Sequence, residues 1–226
     1  MALNISVIIP VLHEQERINE LISRLRGMKE EPFEIIVVDG DPGGTTISNI
    51  LDQSVVTMIA VQGRGNQLAA GAARATGEII LMVHADTILP DNGLPMVSDA
   101  VIDGTDWGAF RLGIDAPAIS FRLIERLVDL RCKLFTLPYG DQAIFVTRAA
   151  LDGGGGIPAI PLMEDVALVR NLFRSGKRFS LLPQRVQTSA QRWQKDGILK
   201  RTLGNWWLLL RYLSGTDPDQ LTQEYR

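Results

Sequence analysis

The sequence predicts an α/β fold: a Rossmann-type, mostly parallel sheet flanked by helices, with a C-terminal helical tail. Three observations carry this. Through residues 1–90, short runs rich in Val and Ile alternate with stretches of helical periodicity. Those runs are near-continuously apolar, as strands covered on both faces must be. Strand–helix–strand repetition at this spacing implies right-handed crossovers and so a parallel sheet.

The elements follow in order. Ser6–Ile9, Glu34–Val38, Thr57–Val61 and Ile79–Val83 read as strands. Glu14–Arg26 carries Ile18, Leu21, Ile22 and Leu25 at helical spacing. Thr45–Leu51 reads as a short helix with threonines available as caps. Gly65–Ala75 is a helix of small residues, able to pack close to a sheet. Beyond residue 90 the pattern changes. Trp107–Leu112, Ala143–Thr147 and Lys177–Leu182 read as strands. Ala118–Leu137 is a long amphipathic helix between Pro117 and Pro138. Gly153–Gly156 is a loop, Leu162–Ser175 a helix closed by Gly176, and Ile198–Leu213 a C-terminal helix with Trp206, Trp207 and a Leu run. No linker or repeat interrupts the chain. It is expected to form a single unit over residues 1–226, with two halves (1–90 and 91–190) and a helical tail (191–226).

Composition narrows the class. The 226 residues are 46% hydrophobic, enough for a real core. A formal net charge of −3 gives no reason to expect a nucleic-acid partner. The single cysteine, Cys132, cannot form an internal disulfide and fits a reducing compartment. The opening MALNISVIIP lacks the features of a signal peptide, and no window approaches the length of a membrane span. A cytoplasmic location is expected. Charge is uneven: Val169–Arg211 holds ten Lys or Arg and one acid, Asp196. That stretch suits a solvated basic face or a surface for phosphates or anionic lipid.

In open parallel sheets, ligands sit beyond the carboxyl ends of the strands. Those places hold Pro10 to Glu14, Asp39 to Thr45, Gly63 to Gln67, and His84-Ala85-Asp86. Glu14, Asp39, Arg64 and Asp86 would therefore share one edge. Asp86 is a hard oxygen ligand suited to Mg²⁺ or Mn²⁺ bound with substrate phosphates. Such an ion neutralises charge on a departing diphosphate. Glu164-Asp165 falls in the first turn of a helix, where the macrodipole favours acids and where a general base could reach a substrate. Tyr139-Gly140-Asp141-Gln142 fits either a plain turn or an acceptor pocket. Neither His13 nor His84 has a partner at zinc-ligand spacing.

These segments resemble glycosyltransferases of family 2. Ser6-Val7-Ile8-Ile9-Pro10 with Glu14 is similar to their SVIIPxxNE opening, and Val37-Val38-Asp39-Gly40 through Thr45 to VVDDGSxDGT. Ile79 to Asp86 is similar to the stretch that ends in DxD, and Glu164-Asp165 to a late ED pair. The HAD spelling resembles a compact bacterial subgroup. The resemblance implies a GT-A fold, a nucleotide diphosphate sugar donor with uridine as the usual nucleoside, and a divalent metal. Pro10, Glu14 and Asp39 would face the nucleoside, with Arg64 and Gln67 also on the donor side. Asp86, with His84 beside it, would hold the metal and diphosphate. Asp165 would be the general base of an inverting transfer, oriented by Glu164. Tyr139, Asp141 and Gln142 would meet the acceptor, and Arg192-Trp193 resembles a late RW near the diphosphate. His84 replaces the first acid of DxD, His13 replaces the common Asn before Glu14, and the QxxRW spacing is absent, so processive synthesis is not expected.

Rival readings differ in chemistry. Gly63-Arg64-Gly65 with Asp86 about twenty residues on imitates the dinucleotide fingerprint of an oxidoreductase, but Leu68 stands in place of the third glycine. A catalytically silent nucleotide-sugar-binding protein is the other, motivated by the altered DxD. The C-terminal helix carries two expectations: peripheral contact with the inner face of the membrane through its tryptophans and flanking Lys195, Lys200, Arg201 and Arg211, or packing onto the chain itself or onto a second copy in a homodimer.

Overall fold

The computed structural model describes residues 3–190 and 197–224, with the helical backbone alone over 198–203 and 223–224. The described strands form one eight-stranded sheet. They are β1 (Ile5–Val11), β2 (Glu34–Asp39), β3 (Val56–Ile59), β4 (Ile79–Met82), β5 (Thr87–Ile88), β6 (Trp107–Asp115), β7 (Phe145–Thr147) and β8 (Phe179–Ser189). Their spatial order is β3-β2-β1-β4-β7-β6-β8-β5. The first four are mutually parallel, and β6 and β8 are parallel to each other. Only the short β7 and β5 run against their neighbours. The mostly parallel sheet is therefore as expected.

Helices cover both faces: α1 (Ile18–Arg26), α2 (Arg64–Arg74), α3 (Gly93–Ile102), α4 (Ile119–Phe135), α5 (Arg148–Gly153), α6 (Glu164–Arg174), α7 (Ile198–Leu213) and α8 (Pro218–Glu224). Alternate strand residues point to opposite faces, and the core divides accordingly. Val7, Ile9, Ile35 and Val37 pack with Ile18, Leu21 and Leu25 of α1 and with Leu94 and Val97 of α3. Ile8, Ile36, Val38 and Ile80 pack with Leu68 and Ala72 of α2 and with Leu168 and Leu172 of α6. Each such side chain contributes about 1.5–3 kcal/mol on burial. The close approach expected of α2 is real. A Cβ on Gly71 would lie 2.5 Å from Ile8 Cγ2.

Several boundaries differ from expectation. The strand read at Thr57–Val61 is the edge strand β3, and its residues alternate between partly buried and exposed because Val56 and Met58 face the core beside α2 while Thr57 and Ile59 face the open side. The helix expected at Thr45–Leu51 is a single 3₁₀ turn, Ile47–Asn49, whose first N–H groups the Asp39 carboxylate accepts and which stops where Ile50 becomes extended. Helix α1 starts at Ile18 rather than Glu14, since His13 takes a left-handed φ of 58° and Glu14–Arg17 forms a turn. Strand β8 runs beyond Leu182 through Pro183. The ladder to β6 shifts register there, passing from Leu182 opposite Phe110 to Arg185 opposite Arg111. A proline without an N–H is tolerated at such an irregularity. Helices α3, α5 and α8 and the two-residue β5 had no strong signal in the sequence.

Candidate active site

The carboxyl ends of β1, β2 and β4 lie side by side, with Val11 opposite Asp39 and Ile8 opposite Met82. Asp39 is fully buried at this edge. Its Oδ1 accepts the N–H of Asp41 at 2.9 Å, and its Oδ2 accepts those of Thr46 and Ile47 at 2.9 and 3.2 Å. The Thr46 hydroxyl in turn accepts the N–H of Glu14 at 3.0 Å. Asp39 thus shapes the loop between β2 and the 3₁₀ turn and ties it to the loop after β1. Glu14 is half-buried, and Pro10 is buried within β1.

Gln67, expected on the donor side, does different work. It is buried, and its Nε2 donates to the carbonyls of Val11 at 2.7 Å and Val38 at 2.8 Å. It clamps the ends of β1 and β2 together. Gln142, expected at the acceptor, is likewise buried and occupied. Its Oε1 accepts from Arg131 Nη2 at 2.9 Å and from the Tyr139 N–H at 3.2 Å, while its Nε2 donates to the Phe110 carbonyl at 2.9 Å. Arg131 also caps the Leu137 carbonyl and stacks 3.6 Å above the Tyr139 ring. This lattice fixes the 3₁₀ turn Gly140–Gln142 so that Tyr139 and Asp141 face outward into a cleft.

The cleft gathers the remaining residues. Arg64, His84, Asp86, Tyr139, Asp141 and Asp165 all line it. Asp86 follows β4 through a turn closed by the Thr87 N–H donating to the His84 carbonyl at 3.0 Å, and β5 then pairs with β8 to hold that corner. The two acids of the ED pair separate. Asp165 opens into the cleft, and its Oδ2 accepts the Gly140 N–H at 2.8 Å. Glu164 turns inward, buried, with Arg64 Nε 3.0 Å from its Oε1. That contact is an ion pair without hydrogen-bond geometry, so neither Glu164 oxygen gains a hydrogen bond among the described residues. Gly65 permits the approach: a Cβ there would stand 2.3 Å from the Ile160 carbonyl and 2.9 Å from Glu164 Cβ.

Electrostatics follow from crowding. Burial pushes the Glu164 carboxyl up to about 7, against the pull of Arg64. Burial also lifts Asp141 to about 6; Arg131 opposes this, while Asp165 and Asp86 add to it. One Asp141 oxygen is buried without a hydrogen-bond partner. Three acids, Asp86, Asp141 and Asp165, thus face one cavity, with the Arg64 cation in the same wall. Among the described residues no group of three or more His, Cys, Asp or Glu is placed to hold a metal ion.

Sequence reasoning missed part of the wall. Thr188 comes from the unexpected extension of β8, and Asn205 and Leu208 come from α7. Asn205 is a polar residue beside an apolar run, which was its one signal. Arg192 and Trp193 lie outside the described residues.

The profile of the glycosyl transferase family 2 matches residues 6–126, more than half of the chain. The chain belongs to glycosyl transferase family 2. It is a family 2 glycosyltransferase with a GT-A fold. The matched span includes Glu14, Asp39, Arg64, His84 and Asp86, while Tyr139, Asp141, Glu164 and Asp165 lie beyond it. The chain is 28% identical over 111 residues to the dolichol-phosphate mannosyltransferase of Pyrococcus furiosus, covering 46% of this chain and 32% of that protein. It is 30% identical over 113 residues to an undecaprenyl-phosphate 4-deoxy-4-formamido-L-arabinose transferase of Enterobacter, covering 45% and 35%. The aligned part therefore spans about a third of these relatives' lengths. S. aureus TarS (1–349), solved with UDP-GlcNAc, superposes with a TM-score of 0.62 at 18% identity over 82% of this chain and 58% of that one. The mannosyltransferase PcManGT of Pyrobaculum calidifontis, solved with GDP-Man and Mn²⁺, gives 0.62 at 16% over 84% and 57%. At these identities the family 2 transferase shares the neighbours' fold.

Proposed function

We propose that this family 2 glycosyltransferase moves a sugar from a uridine diphosphate donor to an acceptor hydroxyl or phosphate, by a single inverting displacement in the cleft between Asp86 and Asp165. The observation that carries the reading is the convergence of Arg64, Asp86, Asp141 and Asp165 on one cavity at the carboxyl edge of the sheet. The nucleoside belongs over the loops that follow β1 and β2, with Glu14 and the loop shaped by Asp39 as its floor. The diphosphate belongs between Arg64 and Asp86. Neighbouring GT-A structures solved with a nucleotide sugar or Mn²⁺ support the donor class and the ion.

The residues present would supply part of the ligand set of a divalent ion. Asp86 and the unsatisfied Asp141 oxygen are hard ligands, and His84 lines the same wall. Without a closed cage, the ion would be completed by diphosphate oxygens and water. When bound it supplies charge neutralisation to the leaving diphosphate. The chain does the rest. Arg64, held by Glu164, offers a fixed cation to the diphosphate. The acceptor oxygen attacks the anomeric carbon, and its new C–O bond forms as the bond to the diphosphate oxygen breaks. The electron pair leaves with the diphosphate. A hydroxyl acceptor passes its proton to Asp165, whose Oδ2 is steadied by the Gly140 N–H. Tyr139, stiffened by Arg131, is a platform for the acceptor.

Calorimetry and turnover test this together. Asp86→Ala should weaken UDP binding in the presence of Mn²⁺ by at least roughly tenfold, the loss of one charged contact. Asp165→Asn should leave UDP affinity nearly intact and lower turnover by at least roughly 10²-fold for a hydroxyl acceptor. Unchanged UDP affinity in Asp86→Ala removes the donor site. Near-wild-type turnover in a folded Asp165→Asn removes the base.

A further inference from the structure

Helix α4 carries two apolar stripes. One, with Phe121, Ile124 and Val128, packs against Leu112 and Ile114 of β6. The other, Leu123, Leu127, Leu130 and Leu134, repeats at helical spacing and stays exposed, each residue at least half open to solvent, as is Phe135. A helix of a water-bathed surface carries polar residues there. Between this stripe and Trp206 of α7 lies a mainly apolar groove of about 290 Å³. The groove is not separate from the cleft. Tyr139, Asp141 and Asn205 line both.

We propose that the acceptor is lipid-linked, with its reacting head at Asp165 and its hydrocarbon chain laid in the groove between α4 and α7. This rests on the transferase reading of the cleft. Continuity with the cleft favours this occupant. A molecule whose head reaches Asp165 past Tyr139 has its tail directed into the groove, whereas a docked protein would close the acceptor's way in. Charge agrees. Arg131 lines the groove at its seam with the cleft, and the exposed Arg126 and Lys133 stand one turn either side of Leu130. Cations bordering an apolar stripe suit a chain drawn from an anionic lipid surface.

The test uses two probe series below their micellar concentrations, n-alkyl phosphates and n-alkyl glucosides, with the intact protein, UDP and Mn²⁺. Affinity should rise with chain length in both series, by up to about fourfold per methylene while the groove fills, from about 0.8 kcal/mol per buried methylene. Beyond that length it should level off. The exposed-site variant Leu127→Gln with Leu134→Gln should flatten the rise without changing the melting temperature. Affinity independent of chain length overturns the proposal, as does a steep rise that the double variant leaves intact. Concentration-dependent dimerisation, or vesicle binding, abolished by the double variant with no chain-length dependence would assign the face to a second copy or to the membrane surface and also overturn it. UDP affinity, read separately, reports on the donor site: normal UDP binding with a flat series defeats this inference alone.

Discussion

The buried Glu164 shows at the scale of one residue how the site is coupled to stability. Below about pH 4.5 its carboxyl is protonated in folded and unfolded chains alike. Between about 4.5 and 7 the folded chain keeps a proton that the unfolded chain has lost. Folding then binds protons, so stability falls as pH rises through that window and levels above it. Asp141 adds the same sign between its ordinary 3.8 and about 6. Glu164→Gln should remove up to roughly 3 kcal/mol of this decline, read from urea titrations at pH 5 and 7.5. An unchanged slope would mean that Glu164 is ionised throughout and that Arg64 fully compensates its burial. Residues at this scale were legible only by type. Asp86, Asp141 and Asp165 stand out in the sequence as metal ligand, acceptor contact and general base, and all three line the cleft. Gln67 and Gln142 look like donor and acceptor contacts but serve the backbone, because an amide suits a buried carbonyl as well as a sugar hydroxyl.

At the scale of elements, the approach of helix to sheet decides which substitutions the fold accepts. Gly71→Ala places a methyl 2.5 Å from Ile8 Cγ2 on a strand buried throughout. Overpacking there should cost about 1–3 kcal/mol in chemical denaturation. Gly204→Ala, in α7, meets nothing within 4 Å and should be neutral or stabilising by up to about 1 kcal/mol. Equal effects would mean that α2 can lift from the sheet without loss. The small-residue composition of α2 announced this packing in the sequence, and the apolar runs of β1, β2 and β4 announced the strands. The extension of β8 did not announce itself. Pro183 looks like an end, and only the partner strand β6 reveals that the ladder resumes at Arg185.

For the whole molecule, the donor site and the ion should appear as one thermodynamic unit. UDP at a hundred times its Kd, with Mn²⁺, stabilises the folded state by about 2.7 kcal/mol. In a chain of this size that is a rise in Tm of roughly 5–10 °C. UDP without Mn²⁺, or Mn²⁺ alone, should give a smaller shift, since the cleft's acids repel a lone diphosphate and form no cage for a lone ion. Equal shifts with and without Mn²⁺ would take the ion out of donor binding. The fold class was readable because strand–helix alternation is a local pattern. The cleft was half readable, since its floor lies at strand ends while its far wall is brought by α7 from a distant part of the chain.

Strand order also has a consequence in time. The parallel β1–β4 ladder needs only residues up to Met82, yet β6 must wait for its parallel partner β8, which ends at Ser189. At a ribosomal rate of about 5–20 residues per second, roughly 5–20 s separate the two. During that interval a nascent chain can already set the loop around Asp39, while the corner after Asp86 waits for β8 and Arg64 waits for Glu164. The loop around Asp39 is therefore formed on the growing polypeptide well before the cleft that it borders.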